Sequence, residues 1–201
     1  NPICNPVVIA IALIALLLKV TGTPYATYFE GAQFVHFLLG PATVALAVPL
    51  FRQTETLKRA LPVIAFGVLF GSLVASASTV ILAWALGASP ETLASLAPKS
   101  VTTPVAMGIA ENIGGVPALT AVCVIATGIV GATLGPMVMN MARLKDWRAR
   151  GFAMGVASHG IGTARAFQVN ETAGAFSGLA MGLNTLATAL TIPFLWHWIF
   201  G

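Results

Sequence analysis

Three runs of this chain, residues 60–86, 115–142 and 173–200, contain no Asp, Glu, Lys or Arg. Each is longer than the ~20 residues an α-helix needs to cross a ~30 Å hydrocarbon core. A fourth apolar run, residues 5–18, is shorter. A soluble fold cannot absorb such runs, because a water-facing surface needs charge. Here charged residues are 8% of the chain and hydrophobic ones 57%, with a mean hydropathy of +0.90. Soluble domains carry about 25% charge. The expected fold is all-α: a polytopic helical membrane protein, one transmembrane domain over 1–201, with the lipid bilayer as its solvent.

The net charge of +4 does not point to nucleic acid. Most of the basic residues fall in two short loops, Arg52–Arg59 and Arg143–Arg150, where they report topology. Cys4 and Cys123 are too few and too far apart for a redox or zinc pattern. No charged n-region with a cleavage site opens the chain. It begins Asn1-Pro2 without Met, so a trimmed start is expected.

Read along the chain, segment one covers about Asn5 to Val20. Segment two, Gly31 to Phe51, is interrupted at Gly40-Pro41 and at Pro49. After the first basic loop, a long helix is expected from Ala60 to Leu86. A broken segment follows, Pro90 to Asn112, with Pro98 and Pro104 inside it. A second long helix runs from about Gly115 to Ala142. After the second basic loop comes another broken segment, Gly151 to Asn170, with Gly160 and Gly162. The last long helix is Ala173 to Phe200. His36, Trp147 and His197 fall near segment ends and mark interfaces. Gly67, Gly71, Gly128 and Gly131 permit close helix packing.

The chain repeats itself. Lys99–Thr133 lies over His159–Pro193 without a gap at a constant offset (163 − 103 = 60). Thr103 falls on Thr163, Ala106 on Ala166, Glu111 on Glu171 and Gly114 on Gly174. A fainter copy precedes them, because Leu39–Val44 resembles Leu96–Val101. The units are approximately 34–90 (faint), 91–150 and 151–201.

If both basic loops are cytoplasmic, helix 60–86 leaves the cytoplasm and helix 115–142 returns to it. Segment 90–112 then begins and ends on the outer side, so it enters the membrane and turns back. Segment 151–170 does the same from the cytoplasmic side. A hairpin plus one crossing reverses orientation, so the two copies form an inverted repeat, a plan common among secondary transporters. Thr103 to Glu111 is eight residues, about 12 Å of helix, close to half the core. The competing reading has each broken segment crossing fully, which leaves the basic loops on opposite sides.

The two breaks carry the chemistry. The first reads Pro98-Lys-Ser-Val-Thr-Thr-Pro104, where Thr103 before Pro104 reads as an N-cap. The second reads Ser158-His-Gly-Ile-Gly-Thr-Ala-Arg165, with Thr163 as the matching cap. Two half-helix N-termini would face each other near the midplane and offer N–H groups and positive dipole ends. Lys99 and Arg165 add charge, and Ser100 and Thr102 add donors. This set suits a carboxylate. The candidate binding residues are therefore Lys99, Ser100, Thr102, Thr103, His159, Gly160, Gly162, Thr163, Arg165 and Asn184. Lys99 or Arg165 could instead pair with a glutamate. His159 reads as a buried hydrogen-bonded ring, a ligand or a proton carrier. Asn184 either hydrogen-bonds across helices or lines the site. Glu111 and Glu171 read as interfacial caps or coupling sites. No nucleophile elbow, zinc-protease motif or P-loop occurs, so no enzymatic activity, cofactor or metal is expected. Coupling to H+ or Na+ stays open.

The runs Leu39–Leu50, Pro98–Pro104, Asn112–Ala121 and Ser158–Ala166 resemble the LrgB/CidB membrane family over nearly the whole chain. The resemblance implies two roles. Bacterial members are antiholin-like modulators of murein hydrolase activity and cell lysis, acting with a small LrgA- or CidA-like membrane subunit. Plastid members exchange glycolate and glycerate, and some bacterial members are linked to pyruvate uptake. The expected function is secondary transport of a small hydroxy- or oxo-monocarboxylate, with a holin-like regulator of lysis as the alternative. A small organic anion, an LrgA-like subunit and further copies of the chain are the expected partners, and nucleic acid is not. The bacterial cytoplasmic membrane is the expected location, with the plastid inner envelope as the alternative.

Overall fold

The computed structural model describes residues 6–45 and 54–200. Among them are eight helices and no strand: α1 Pro6–Thr21, α2 Tyr25–Ala45, α3 Thr54–Ala85, α4 Pro90–Leu96, α5 Thr103–Asn112, α6 Pro117–Met141, α7 Trp147–Val169 and α8 Glu171–Phe200. Three stretches are long and apolar enough to cross a membrane: Ala60–Ala85 within α3, α6 and α8. These are the expected long helices, and the protein is an all-α membrane protein.

The surface is inside-out relative to a soluble fold. Phe66, Leu134, Leu190 and Phe194 are exposed, as lipid requires. The buried positions of the long helices include Ser72, Thr120, Ser177, Asn184 and Thr188. Lipid tails are as apolar as leucine, so small and polar residues hold helices together here. One such link is the buried 2.8 Å hydrogen bond between the Ser72 and Thr188 hydroxyls of α3 and α8.

Helix ends follow local signals. Gly87, at φ 80°, ends α3 in the left-handed conformation, and the Ala88 N–H reaches back to the Ala83 carbonyl. Gly114, at φ 83°, ends α5 the same way. Side chains of Ser89, Asp146 and Asn170 accept the first free N–H groups of α4, α7 and α8.

Expected boundaries shift in places, and α2 begins at Tyr25 instead of Gly31. α2 runs through Gly40-Pro41 to Ala45 without interruption. α3 starts at Thr54, inside the expected first loop, with Pro62 in its interior. α7 starts at Trp147, so half of the second basic loop is helix. Arg52 and Pro49, and the His36 side chain, lie outside the described residues.

Contacts show how the two broken segments run. Ser95, at the end of α4, accepts the Val116 N–H at 2.8 Å through its hydroxyl, and its carbonyl accepts the Thr120 hydroxyl at 2.9 Å. The far end of α5 closes onto the same region, since the Gly115 N–H donates to the Ala110 carbonyl. α4 and α5 are therefore two arms that meet at residues 97–102. In the second segment, a side chain at Gly151 would strike Ala173, and one at Gly155 would strike Ser177 and Ala180. Val156 accepts from Asn184. Here both numbers rise together. Beyond the break, Thr163 bonds Ser177 and Gly174 sits on Phe167. Here one number rises as the other falls. So α7 reverses along α8, and its two arms form a hairpin.

The reversal sits at His159, at φ 40° and ψ −135°. It falls inside the expected break, Ser158–Arg165, but not at either of its glycines. Gly162 instead packs: a Cβ there would crowd the Ser158 Cβ and the Met154 carbonyl. The four glycines read as packing positions all face the first arm of α7. Gly67 meets Phe152, Gly71 meets Val156, Gly128 meets His159 and Gly131 meets Ser158.

Some contacts recur at the sequence offset. Ser95 touches Thr120, and sixty positions on, Gly155 touches Ala180. An apolar cluster seats the first hairpin on α6 and α8: Ala97, Val101, Ala106, Ile109, Val124 and Ile192. Phe176 packs with Ile64 and Val68 to join α8 to α3.

Candidate functional site at the hairpin tips

The two hairpin tips are each tied to the other unit's long helix. Asn184, on α8, donates its side-chain amide to the Ser100 carbonyl of the first tip at 3.2 Å. The same amide donates to the Val156 carbonyl of the second hairpin, also at 3.2 Å. On α6, the Val124 carbonyl lies 2.8 Å from His159 Nε2. A carbonyl only accepts, so Nε2 carries a proton. Val124 and Asn184 are matching positions of the repeat (184 − 124 = 60). One supplies a backbone acceptor and the other a side-chain donor.

Lys99 is half-buried and its ammonium donates to the Ser100 hydroxyl at 3.5 Å. It is close enough to His159 and to Cys123 on α6 to interact with both electrostatically. A cationic side chain at this depth is costly and marks function by default. Ser100 is buried. Thr102, not Thr103, occupies the N-cap position of α5, and its side chain makes no capping bond. The expected Thr103 cap is displaced by one residue: Thr103 is the first helical residue and Pro104 the second, where a proline is also tolerated because its missing N–H would have no intrahelical partner.

In the second tip, Thr163 is not a cap either. It lies four residues past the break, and its hydroxyl donates back to the His159 carbonyl at 2.8 Å while meeting the Ser177 hydroxyl at 2.9 Å. Gly160 is exposed beside the break. Arg165 stands apart from the tip. Six residues past His159 is about 9 Å of helix, and its guanidinium donates to Gln168 at 3.3 Å. Glu111 and Glu171 are exposed at the end of α5 and the start of α8. Among the described residues, no group of three or more His, Cys, Asp or Glu is placed to hold a metal.

The structure adds residues that the motifs did not single out. Ser158 is 1% exposed, wedged against Gly131 and Gly162, and its hydroxyl has no hydrogen-bond partner among the described residues. Asn184 is also 1% exposed, and its Oδ1 is likewise unpartnered. Buried polar atoms without partners are rare and call for an explanation. Ser158 falls on Pro98 in the repeat, so the repeat gave no signal for it. Val124 acts through its backbone carbonyl, which a motif does not record.

Near the start of α7, residues of α3, α7 and α8 line an open pocket of about 290 Å³ that includes Ile64, Gly67, Phe152 and Phe176. The Asp146–Arg148 ion pair, 2.6 Å long, stands at its mouth. Arg148 holds the Asp146 carboxyl down to about 2, first through side-chain hydrogen bonds.

Comparison with known proteins gives a consistent answer. Residues 1–198 match the family model described as the LrgB-like family. The chain is 39% identical to YwbG of Bacillus subtilis over 191 residues, 95% of this chain and 85% of that one. It is 33% identical to the holin-like protein CidB of Staphylococcus epidermidis over 195 residues, 97% of this chain and 85% of that one. CidB of Staphylococcus aureus is 32% identical over the same coverage. No solved structure matches. The chain belongs to the LrgB-like family of membrane proteins.

Proposed function

We propose that this chain is a secondary carrier of a small monocarboxylate, which binds between the two hairpin tips. One observation carries the reading. Lys99, Ser100, His159 and Asn184 converge inside an apolar membrane domain, and the cross-links from α6 and α8 reach both tips. A junction of this kind suits a bound anion of limited size. The lysine supplies charge, and the α5 N-terminus, uncapped by any side chain, supplies N–H groups and a positive dipole end. In this reading the two units form an inverted repeat, and opening alternates between the two hairpins. The substrate class is a hydroxy- or oxo-monocarboxylate of the glycolate, glycerate, lactate or pyruvate type. An LrgA- or CidA-like small membrane subunit and further copies of the chain are the proposed partners.

A second reading rests on the printed names. The Staphylococcus relatives are called holin-like. A holin-like chain would act by permeabilising the membrane or by regulating that event, and it needs no defined anion site. The test is the purified chain in proteoliposomes. A carrier takes up labelled glycolate or pyruvate, saturates, and retains a trapped neutral dye. Dye release without saturable uptake would favour the holin-like reading and end the carrier proposal.

A further inference from the structure

Asn184 fixes more than the hairpin tips. Its amide nitrogen has two hydrogens, and both are used, one on the Ser100 carbonyl and one on the Val156 carbonyl. Both neighbours are carbonyl oxygens that can only accept, so the nitrogen must face them and the side chain cannot be turned over. That leaves Oδ1 facing away from both. The residue is 1% exposed, and among the described residues no group donates to this oxygen. A buried acceptor of this kind is satisfied only by a group that brings a hydrogen.

Resting on the carrier reading, we infer that Asn184 Oδ1 is the specificity determinant of the site and selects substrates with a hydroxyl next to the carboxylate over those with an oxo group. The carboxylate goes to Lys99, beside Ser100. The Ser100 carbonyl is in turn held by Asn184. Lys99 and Asn184 thus meet the same residue, the one at its hydroxyl and the other at its carbonyl. A 2-hydroxy acid has the matching pair, an anion and a donor on adjacent carbons. A 2-oxo acid would set a carbonyl lone pair against Oδ1, and a simple alkanoate would leave Oδ1 unmet. The position has a direction in the repeat, because its counterpart on α6 is Val124, which has no polar side chain. Selectivity therefore comes from one unit only.

The test varies the ligand rather than the pin. Lactate, pyruvate, 2-methoxypropionate and propionate compete for uptake or binding by the unmodified protein in proteoliposomes. The four are of similar size, and only lactate donates a hydrogen beside its carboxylate. Lactate should bind about 10- to 100-fold more tightly than each of the other three, as expected when a buried acceptor goes unpaired. Pyruvate or 2-methoxypropionate within twofold of lactate overturns the inference while leaving the carrier reading intact. Binding of none of the four, with the protein folded, overturns both.

Discussion

His159 of α7 and Val124 of α6 are joined by a 2.8 Å hydrogen bond, and His159 makes it from a backbone conformation that L-residues rarely adopt, φ 40° and ψ −135°. The ring ties the second hairpin to α6 while the backbone beneath it turns the chain around. The two roles can be separated by substitution. Both His159→Ala and His159→Gly lose the hydrogen bond, but only glycine tolerates the torsion freely. His159→Gly should melt higher than His159→Ala, by a difference on the order of 1 kcal/mol. Equal melting temperatures would show that the backbone relaxes and stores no strain.

Gly131 makes room for Ser158. Any Cβ at position 131 would collide with the Ser158 hydroxyl. Gly131→Ala should destabilise the protein by about 1–3 kcal/mol, the range for overpacking. Adding Ser158→Gly should recover most of that loss. A double variant no more stable than Gly131→Ala alone would place the clash elsewhere.

Topology has a direct readout. Lys58 and Lys145 are exposed near the two basic loops. In a background without Cys4 and Cys123, cysteines at positions 58 and 145 should react with an impermeant thiol reagent from the same side. Cysteine at Glu111 should react from the other. Labelling of 58 and 145 from opposite sides would contradict the proposed orientation.

Asp146 gives a pH signature. Its carboxyl sits near 2 instead of 3.8, chiefly because Arg148 hydrogen-bonds it. A depressed carboxylate stabilises the fold above its ordinary value, and that contribution is lost as pH falls through its folded value. The pair is solvent-exposed, so screening keeps the effect small. Asp146→Asn keeps an N-capping oxygen. The melting-temperature gap between wild type and Asp146→Asn should hold steady above about pH 5 and close between about pH 4 and 2. A gap unchanged down to pH 2 would deny the ion pair any part in stability.

Much of this fold is legible in the sequence because lipid imposes long, charge-free runs. The three long helices follow from that alone. Pro98 and Pro104 mark the first break, since proline punctuates helices by its geometry. The second break is harder to place. Gly160 and Gly162 locate its neighbourhood, but the turning residue is His159, and a histidine at positive φ has no sequence signature. The threonine caps are misplaced for a related reason. In the first segment the helix starts one residue early, with Thr102 as its cap, whereas in the second the chain turns at His159, so Thr163 already lies a full turn into the helix. Asn184 stands out as a polar residue in an apolar run. Its partners do not, because both are backbone carbonyls. Arg165 reads as part of the tip because the motif contains it, but the helical rise carries it away.

In the proposed site Lys99, and not Arg165, holds the carboxylate at the tips. The deciding measurement is substrate affinity and melting temperature on the same purified Lys99→Ala and Arg165→Ala proteins. Lys99→Ala should lose about 10- to 150-fold in affinity, the worth of a charge-assisted hydrogen bond of about 1.5–3 kcal/mol, without a fall in melting temperature. Arg165→Ala, whose guanidinium rests on Gln168, should lose less than about fivefold by the same arithmetic. Unchanged affinity in Lys99→Ala, with the protein folded, would contradict the account.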